Sequence, residues 1–145
     1  MESDYGLLAE GLETVSKIAE KYGLIPSYHP HLGTIVEAPD QLDKLLSLTE
    51  INLCPDTAHI EAGGGDAIQV IKKYADRIKY VHLKDYKEGE FLPLGEGKQN
   101  YHEMIEILKG AGYEGWITIE LDSYHNPKKG AQISKNYLKD HFGLI

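Results

Sequence analysis

The chain has 145 residues, 41% of them apolar and 26% charged, the make-up of one ordinary globular domain. With 23 acidic against 15 basic residues its formal charge is −8, which argues against a broad nucleic-acid-binding face built on clustered Lys and Arg. A single cysteine, Cys54, excludes an internal disulfide, no apolar run approaches the ~20 residues of a membrane span, and the N-terminal MESDYGLLAEGLETV lacks the basic and apolar regions of a signal peptide. The expected setting is therefore the cytoplasm, with neither membrane nor nucleic acid as partner.

Tyr5, Leu8, Leu12, Val15, Ile18, Ala19 and Tyr22 recur at three- and four-residue spacing, which predicts an amphipathic helix over 4–22. Ser3 or Asp4 can cap its start, and Gly23 stands where helices commonly end. A strand follows over 24–29. Pro39 opens a helix over 39–49 whose apolar side is Leu42, Leu45, Leu46 and Leu48. A strand over 51–55 leads into a loop over 57–66. Asp66 and Gln69 form a capping-box pattern before helix 67–76, and Asn100 and Glu103 repeat it before helix 101–110. Between those helices lie a strand over 78–83 and a long loop over 84–99. A strand over 116–121 and a helix over 129–141 end the chain.

The order α-βα-βα-βα-βα, with near-continuous apolar strands, predicts an α/β fold with a parallel sheet covered by helices. Four βα units are half of a TIM (β/α)8 barrel, so residues 1–145 read as one half-barrel domain. Such a sheet leaves two edges unpaired and one face bare, with Ile78, Tyr80, Trp116 and Thr118 expected on it. The chain is expected either to be a fragment or to find its missing half in another chain, as a homodimer or larger homo-oligomer.

The strand-like segments LIPSYHPH (24–31), INLCPD (51–56), IKYVH (78–82) and WITIE (116–120) close on His29 and His31, Asp56, His82 and Glu120. In a parallel sheet all C-terminal strand ends share one rim, where polar side chains converge. Alternation puts Ser27, His29 and His31 on one face of their strand; Asn52, Cys54 and Asp56 on another; then Tyr80, His82 and Lys84; then Thr118, Glu120 and Asp122. Imidazoles and carboxylates in this mixture suit Mn²⁺, Co²⁺, Zn²⁺ or Mg²⁺. A metal there can hold two adjacent oxygens of a polyol or keto-sugar and polarise a carbonyl for proton abstraction. Lys84, on the His82 face, reads as an acid/base or substrate-orienting group, or else as a surface lysine paired with Asp85. PLGEGK (93–98) can offer N–H groups to an anion but reads better as a glycine turn, and Gly63–Gly65 serve either a flexible substrate loop or a close helix approach. Cys54 reads as core, and Trp116 and most tyrosines as packing.

YHPHLGT (28–34), CPDTAH (54–59), YVHLKD (80–85), PLGEG (93–97) and GYEGWITIE (112–120) together resemble the C-terminal half of the xylose isomerase-like TIM-barrel superfamily. That group includes sugar-phosphate isomerases/epimerases, inosose dehydratases, hydroxypyruvate isomerases and endonuclease IV. The pattern is most similar to the inosose dehydratase-like branch, and the resemblance covers essentially the whole chain. It implies that Asp56, His82 and Glu120 are three of four metal ligands and that His59 contacts substrate oxygens beside the metal. The fourth ligand in many members is a Glu on the first of these strands. Ser27 stands there, and His29, two residues on, or His31 can replace it. The implied function is a metal-dependent isomerase, epimerase or dehydratase acting on a sugar, inosose or related hydroxy-carbonyl, with His59, Lys84 and His31 as catalytic candidates. A catalytically silent half-barrel or structural partner is the rival reading. An endonuclease IV-like phosphodiesterase would require more His and Glu ligands and a basic surface, which the acidic composition does not supply.

Overall fold

Prolines cut the strands short. Pro26 and Pro30 bracket the first and Pro55 follows the second, and none of them has an N–H to give a ladder. The computed structural model describes residues 2–144, with side chains from residue 4 onward. The elements are α1 (Glu2–Lys21), β1 (Ser27–Tyr28), α2 (Pro39–Leu46), β2 (Asn52–Leu53), α3 (Thr57–Ala62), α4 (Ala67–Lys73) with a 3₁₀ turn at Ala75–Arg77, β3 (Val81–Leu83), β4 (Asp85–Lys87), β5 (Glu90–Leu92), α5 (Tyr101–Gly110), β6 (Ile117–Ile119) and α6 (Pro127–Phe142).

The sheet is parallel throughout in the order β1-β2-β3-β6. Ser27 pairs with Asn52, and His82 with Thr118. Single bridges at Leu53–Ile78 and Asp56–His82 join the two strand pairs, with His82 N–H donating to Pro55 O at 3.0 Å. Arg77 fixes the entry to β2: its guanidinium donates to the carbonyls of Leu46, Thr49 and Ile51. The α/β half-barrel read from the sequence is the observed architecture.

Leu53, Val81 and Leu83 point from the sheet into a core made by Leu42, Leu45, Ile71, Met104 and Leu108 of the helices. Tyr80, His82, Thr118 and Glu120 lie on the opposite face and are only partly covered. Ile78, expected on that face, is buried in the core, and Trp116, expected to pack, is 77% exposed just before β6.

Other expectations are corrected locally. The helix over 39–49 stops at Leu46. Residues 57–66 are not all loop, because Asp56 caps a six-residue helix, α3. The loop over 84–99 contains an antiparallel hairpin, β4–β5, turned by Glu88 and Gly89 with φ of 54° and 90°. Positive φ at both central residues is the signature of a type I′ turn. Four N–H groups of PLGEGK are taken up within the chain: Leu94 donates to Ser134 Oγ, Gly95 to Asp85, Glu96 to Pro93 O and Lys98 to Tyr86 O. Gly63 is required by close approach, since a Cβ there would lie 2.0 Å from Glu37 O.

Helix α1 carries two apolar stripes where the periodicity suggested one. Tyr5, Leu8, Ala9 and Leu12 pack on the core, whereas Val15, Ile18 and Tyr22 are 55%, 52% and 77% exposed and join Leu7 on a second face. The helix begins at Glu2, before the caps expected at Ser3 or Asp4, and the Ser3 side chain lies outside the described residues. Among the described residues no helix is long and apolar enough to cross a membrane.

Candidate metal centre

Asp56 ends β2 and begins α3, and this double duty sets its orientation. Its Oδ1 accepts the N–H groups of Ala58 and His59, both at 2.9 Å, leaving Oδ2 turned toward the rim. Capping also draws His59 back over the strand ends. Thr57 ties the next strand in: its hydroxyl donates to Lys84 O at 2.9 Å and accepts from Lys84 N–H at 3.1 Å.

The sheet brings three of the four sequence-selected ligands together, His29, Asp56 and Glu120, with His59 joining them where His82 was expected, while the ligand atom of His82 groups with His29 and Cys54. Ligand atoms of His29, Asp56, His59 and Glu120 all lie within 4.8 Å of one another. His82 Nδ1 is in contact with Glu120 Oε2, and the His29 and His82 rings are 4.8 Å apart. His31 stands to one side, its ring centre 3.7 Å from that of His59 at a tilt of 38°, and is grouped with His29 and His59 rather than with the carboxylates. Its Nδ1 is engaged with the adjacent Leu32 carbonyl.

Lys84 is at the centre and is fully buried, so the surface-lysine reading is overturned. Its Nζ lies 3.2 Å from Asp56 Oδ2, 2.8 Å from Glu120 Oε1, 2.6 Å from Asp122 Oδ2 and 3.0 Å from His59 Nε2. Burial works against its charge, but the hydrogen bond to Asp122 and the charges of Asp56 and Glu120 outweigh that and raise its pKa. Burial would raise Glu120 too, yet the hydrogen bond and charge of Lys84, with His82 and His29, hold it at about 2. Burial lowers both His29 and His59 against the opposing charge of Asp56.

Two site residues escaped the sequence reading. Asp122 binds Lys84 and lies 3.4 Å from His59 Nε2. Alternation from Glu120 had placed it on the same face. Phe91 lies under Lys84 Nζ at 4.9 Å from its ring centre and 5.0 Å from the His59 ring. Finding it required recognising the Glu88-Gly89 turn. Beside this cluster lies a cleft of about 680 Å³ lined by Phe91, Asp122, Ser123, Tyr124 and His125.

The donor set fits a divalent cation on two counts. Three carboxylates meet a single ammonium here, a charge imbalance that one dication would balance. Two buried ligand atoms, Asp56 Oδ2 and His82 Nδ1, also lack an aligned hydrogen bond. Cys54 lies just beneath, 5% exposed, and burial pushes its thiol up to about 12. We expect a neutral, shielded thiol: alkylation at pH 8 should be slower in the folded protein than in the denatured chain by at least about 100-fold. Equal rates would contradict this. Because the pKa is raised from 9.0, the associated stability is present below pH 9 and declines as pH rises toward 12.

Comparison with known proteins places this geometry. An inosose dehydratase of Clostridium beijerinckii is 34% identical over 168 aligned positions that cover 99% of this chain and 56% of the relative. The chain thus spans about half the length of the curated relatives it matches. A sugar phosphate isomerase/epimerase from Parabacteroides distasonis superposes with a TM-score of 0.81 at 21% identity, covering 97% of this chain and 54% of that one. The IOLI protein, solved with a bound zinc atom, superposes with a TM-score of 0.74 at 21% identity, covering 91% and 54%. The family pattern of the xylose isomerase-like TIM barrel runs through residues 2–141. It extends from the first turn of α1 into the last turn of α6, and this chain accordingly belongs to the xylose isomerase-like TIM barrel family.

Proposed function

We propose that this half-barrel domain carries the metal-binding rim of a sugar-acting isomerase, epimerase or dehydratase, with an inosose or related hydroxy-carbonyl as substrate. One observation carries the reading. His29, Asp56, His59 and Glu120 converge within 4.8 Å, immediately beside a buried Lys84–His59 pair. His29, Asp56, His82 and Glu120 would hold a divalent ion (Mn²⁺, Co²⁺, Zn²⁺ or Mg²⁺), and His29 takes the place of the family's usual Glu. The ion would polarise a carbonyl and lower the cost of removing a proton beside it.

The chain's own residues supply the rest. Lys84, fully buried, holds Glu120 and Asp122 in place. With Nζ 3.0 Å from His59 Nε2, the two form a donor–acceptor pair able to move a proton at the rim. In isomerisation the proton leaves one carbon and returns to another. In dehydration it leaves with a hydroxyl group as water. His31, its ring beside that of His59, borders the same space. Phe91 excludes water from the far side of Lys84.

In this reading the chain assembles as a homodimer or larger homo-oligomer. The cellular setting is the cytoplasm, and neither nucleic acid nor membrane is a partner. The alternative is a catalytically silent half-barrel or structural partner.

Metal-loaded, assembled protein incubated with inosose and candidate keto-sugars in D₂O tests the proposal. We expect deuterium incorporation next to the carbonyl, or loss of water. Neither event across the substrate set would overturn the enzyme reading in favour of the silent one.

A further inference from the structure

The second apolar face of α1 has no partner within the described chain. Leu7, Val15 and Ile18 are 67%, 55% and 52% exposed, and at 100° per residue they fall with Gly11 on one side of the helix; Tyr22, 77% exposed, stands in the turn just past its last residue, Lys21. Single exposed apolar residues need no explanation, but an ordered stripe along a 20-residue helix does. Leu24 and Ile25, 63% and 69% exposed, extend the patch beyond the helix end. Gly11 adds a second puzzle. Mid-helix glycine costs roughly 0.5–1 kcal/mol relative to alanine. Nothing lies within 4 Å of where its Cβ would be, so packing inside this chain does not require it.

Both features are accounted for if the stripe meets a second copy of itself. Resting on the homo-oligomer reading above, we propose that α1 is the self-association surface and that two copies pack their α1 helices antiparallel about a two-fold axis near Val15. The stripe is self-complementary in that direction. Leu7 of one copy faces Tyr22 of the other, Val15 faces its own counterpart, and Ile18 enters the gap left by Gly11. That exchange occurs twice, once on each side of the axis. Charges agree with it. Glu10 and Lys21 flank the stripe on the same side, and antiparallel pairing sets Glu10 of each copy close to Lys21 of the other.

The arrangement differs from two half-barrels closing into eight strands. Closure would set α1 of each copy against α6 of the other. Exposed positions of α6 include Lys128, Lys129, Gln132, Lys135 and Lys139, a polar surface unsuited to the stripe. Pairing through α1 buries like against like.

Light scattering of the purified 145-residue chain at low micromolar concentration should give a dimer. Ile18→Glu should raise its dissociation constant by about 100-fold, because a charge would enter the apolar contact at both symmetric positions. Circular dichroism checks that this exposed substitution leaves the fold intact. A second variant makes the result independent of folding cost. With Cys54 buried, Val15→Cys should give a disulfide-linked dimer on mild oxidation, and Lys17→Cys, on the polar side of α1, should not. A dimer that survives Ile18→Glu and fails to cross-link through Val15→Cys would overturn the α1 surface while leaving the homo-oligomer reading in place. A monomer at all concentrations would overturn both and assign the stripe to other βα units.

Discussion

Lys84→Met should destabilise the metal-free protein by about 3 kcal/mol at pH 7, although methionine fills nearly the same volume. Removing one member of a buried ion pair leaves an uncompensated charge, which typically costs about 3–5 kcal/mol. Here Asp56 is fully buried and bears the full effect. Glu120 and Asp122, 25% and 36% exposed, recover part of their hydration, so the lower end of that range applies. The pH dependence has a definite sign. Glu120 is held at about 2 against an ordinary 4.5, so its contribution is present above pH 4.5 and is lost as pH falls toward 2. That contribution depends on Lys84, so wild type and variant should converge in stability across that window. Urea unfolding in the presence of a chelator, at pH 7 and again near pH 3, measures both numbers. A loss below about 1 kcal/mol at pH 7 would mean that Lys84 is not the counter-charge of this cluster.

Most of this site was legible because strand alternation and the parallel rim act on residues close together in sequence. His29, Asp56, His82 and Glu120 each stand at the end of an apolar run, and a parallel sheet has only one place to put such ends. What escaped depended on longer-range or weaker signals. Helix α3 is six residues long, too short to show a period, and it exists because Asp56 caps it. Phe91 reaches Lys84 only because Glu88 and Gly89 turn the chain back on itself. Lys84 and Asp85 are adjacent in sequence but turn apart, Lys84 to the rim and Asp85 to the glycine turn, so nearest-neighbour charge pairing misled. In α1, three- and four-residue spacing merged two stripes. Periodicity reports that a side chain is apolar, not which partner buries it, and Val15, Ile18 and Tyr22 therefore read as core.

The largest effect expected anywhere in the molecule is on metal content. Asp56 and Glu120 are oriented by other contacts before any ion arrives, Asp56 by its cap and Glu120 by Lys84, and the β3–β6 pairing sets the backbone position of His82. Preorganisation of this kind leaves little ordering cost to binding, and removing one ligand typically costs far more than removing a neighbour. Glu120→Gln keeps shape and removes the charge, and Asp56→Asn keeps an oxygen able to cap α3. His31→Ala, whose imidazole stands outside the carboxylate group, serves as the comparison. Elemental analysis after loading with Mn²⁺, Co²⁺ or Zn²⁺ and desalting should find one equivalent in the wild type and in His31→Ala. Less than a tenth of an equivalent is expected in Glu120→Gln and Asp56→Asn, with circular dichroism unchanged. One equivalent retained in both carboxylate variants would contradict the assignment of this rim as the metal centre.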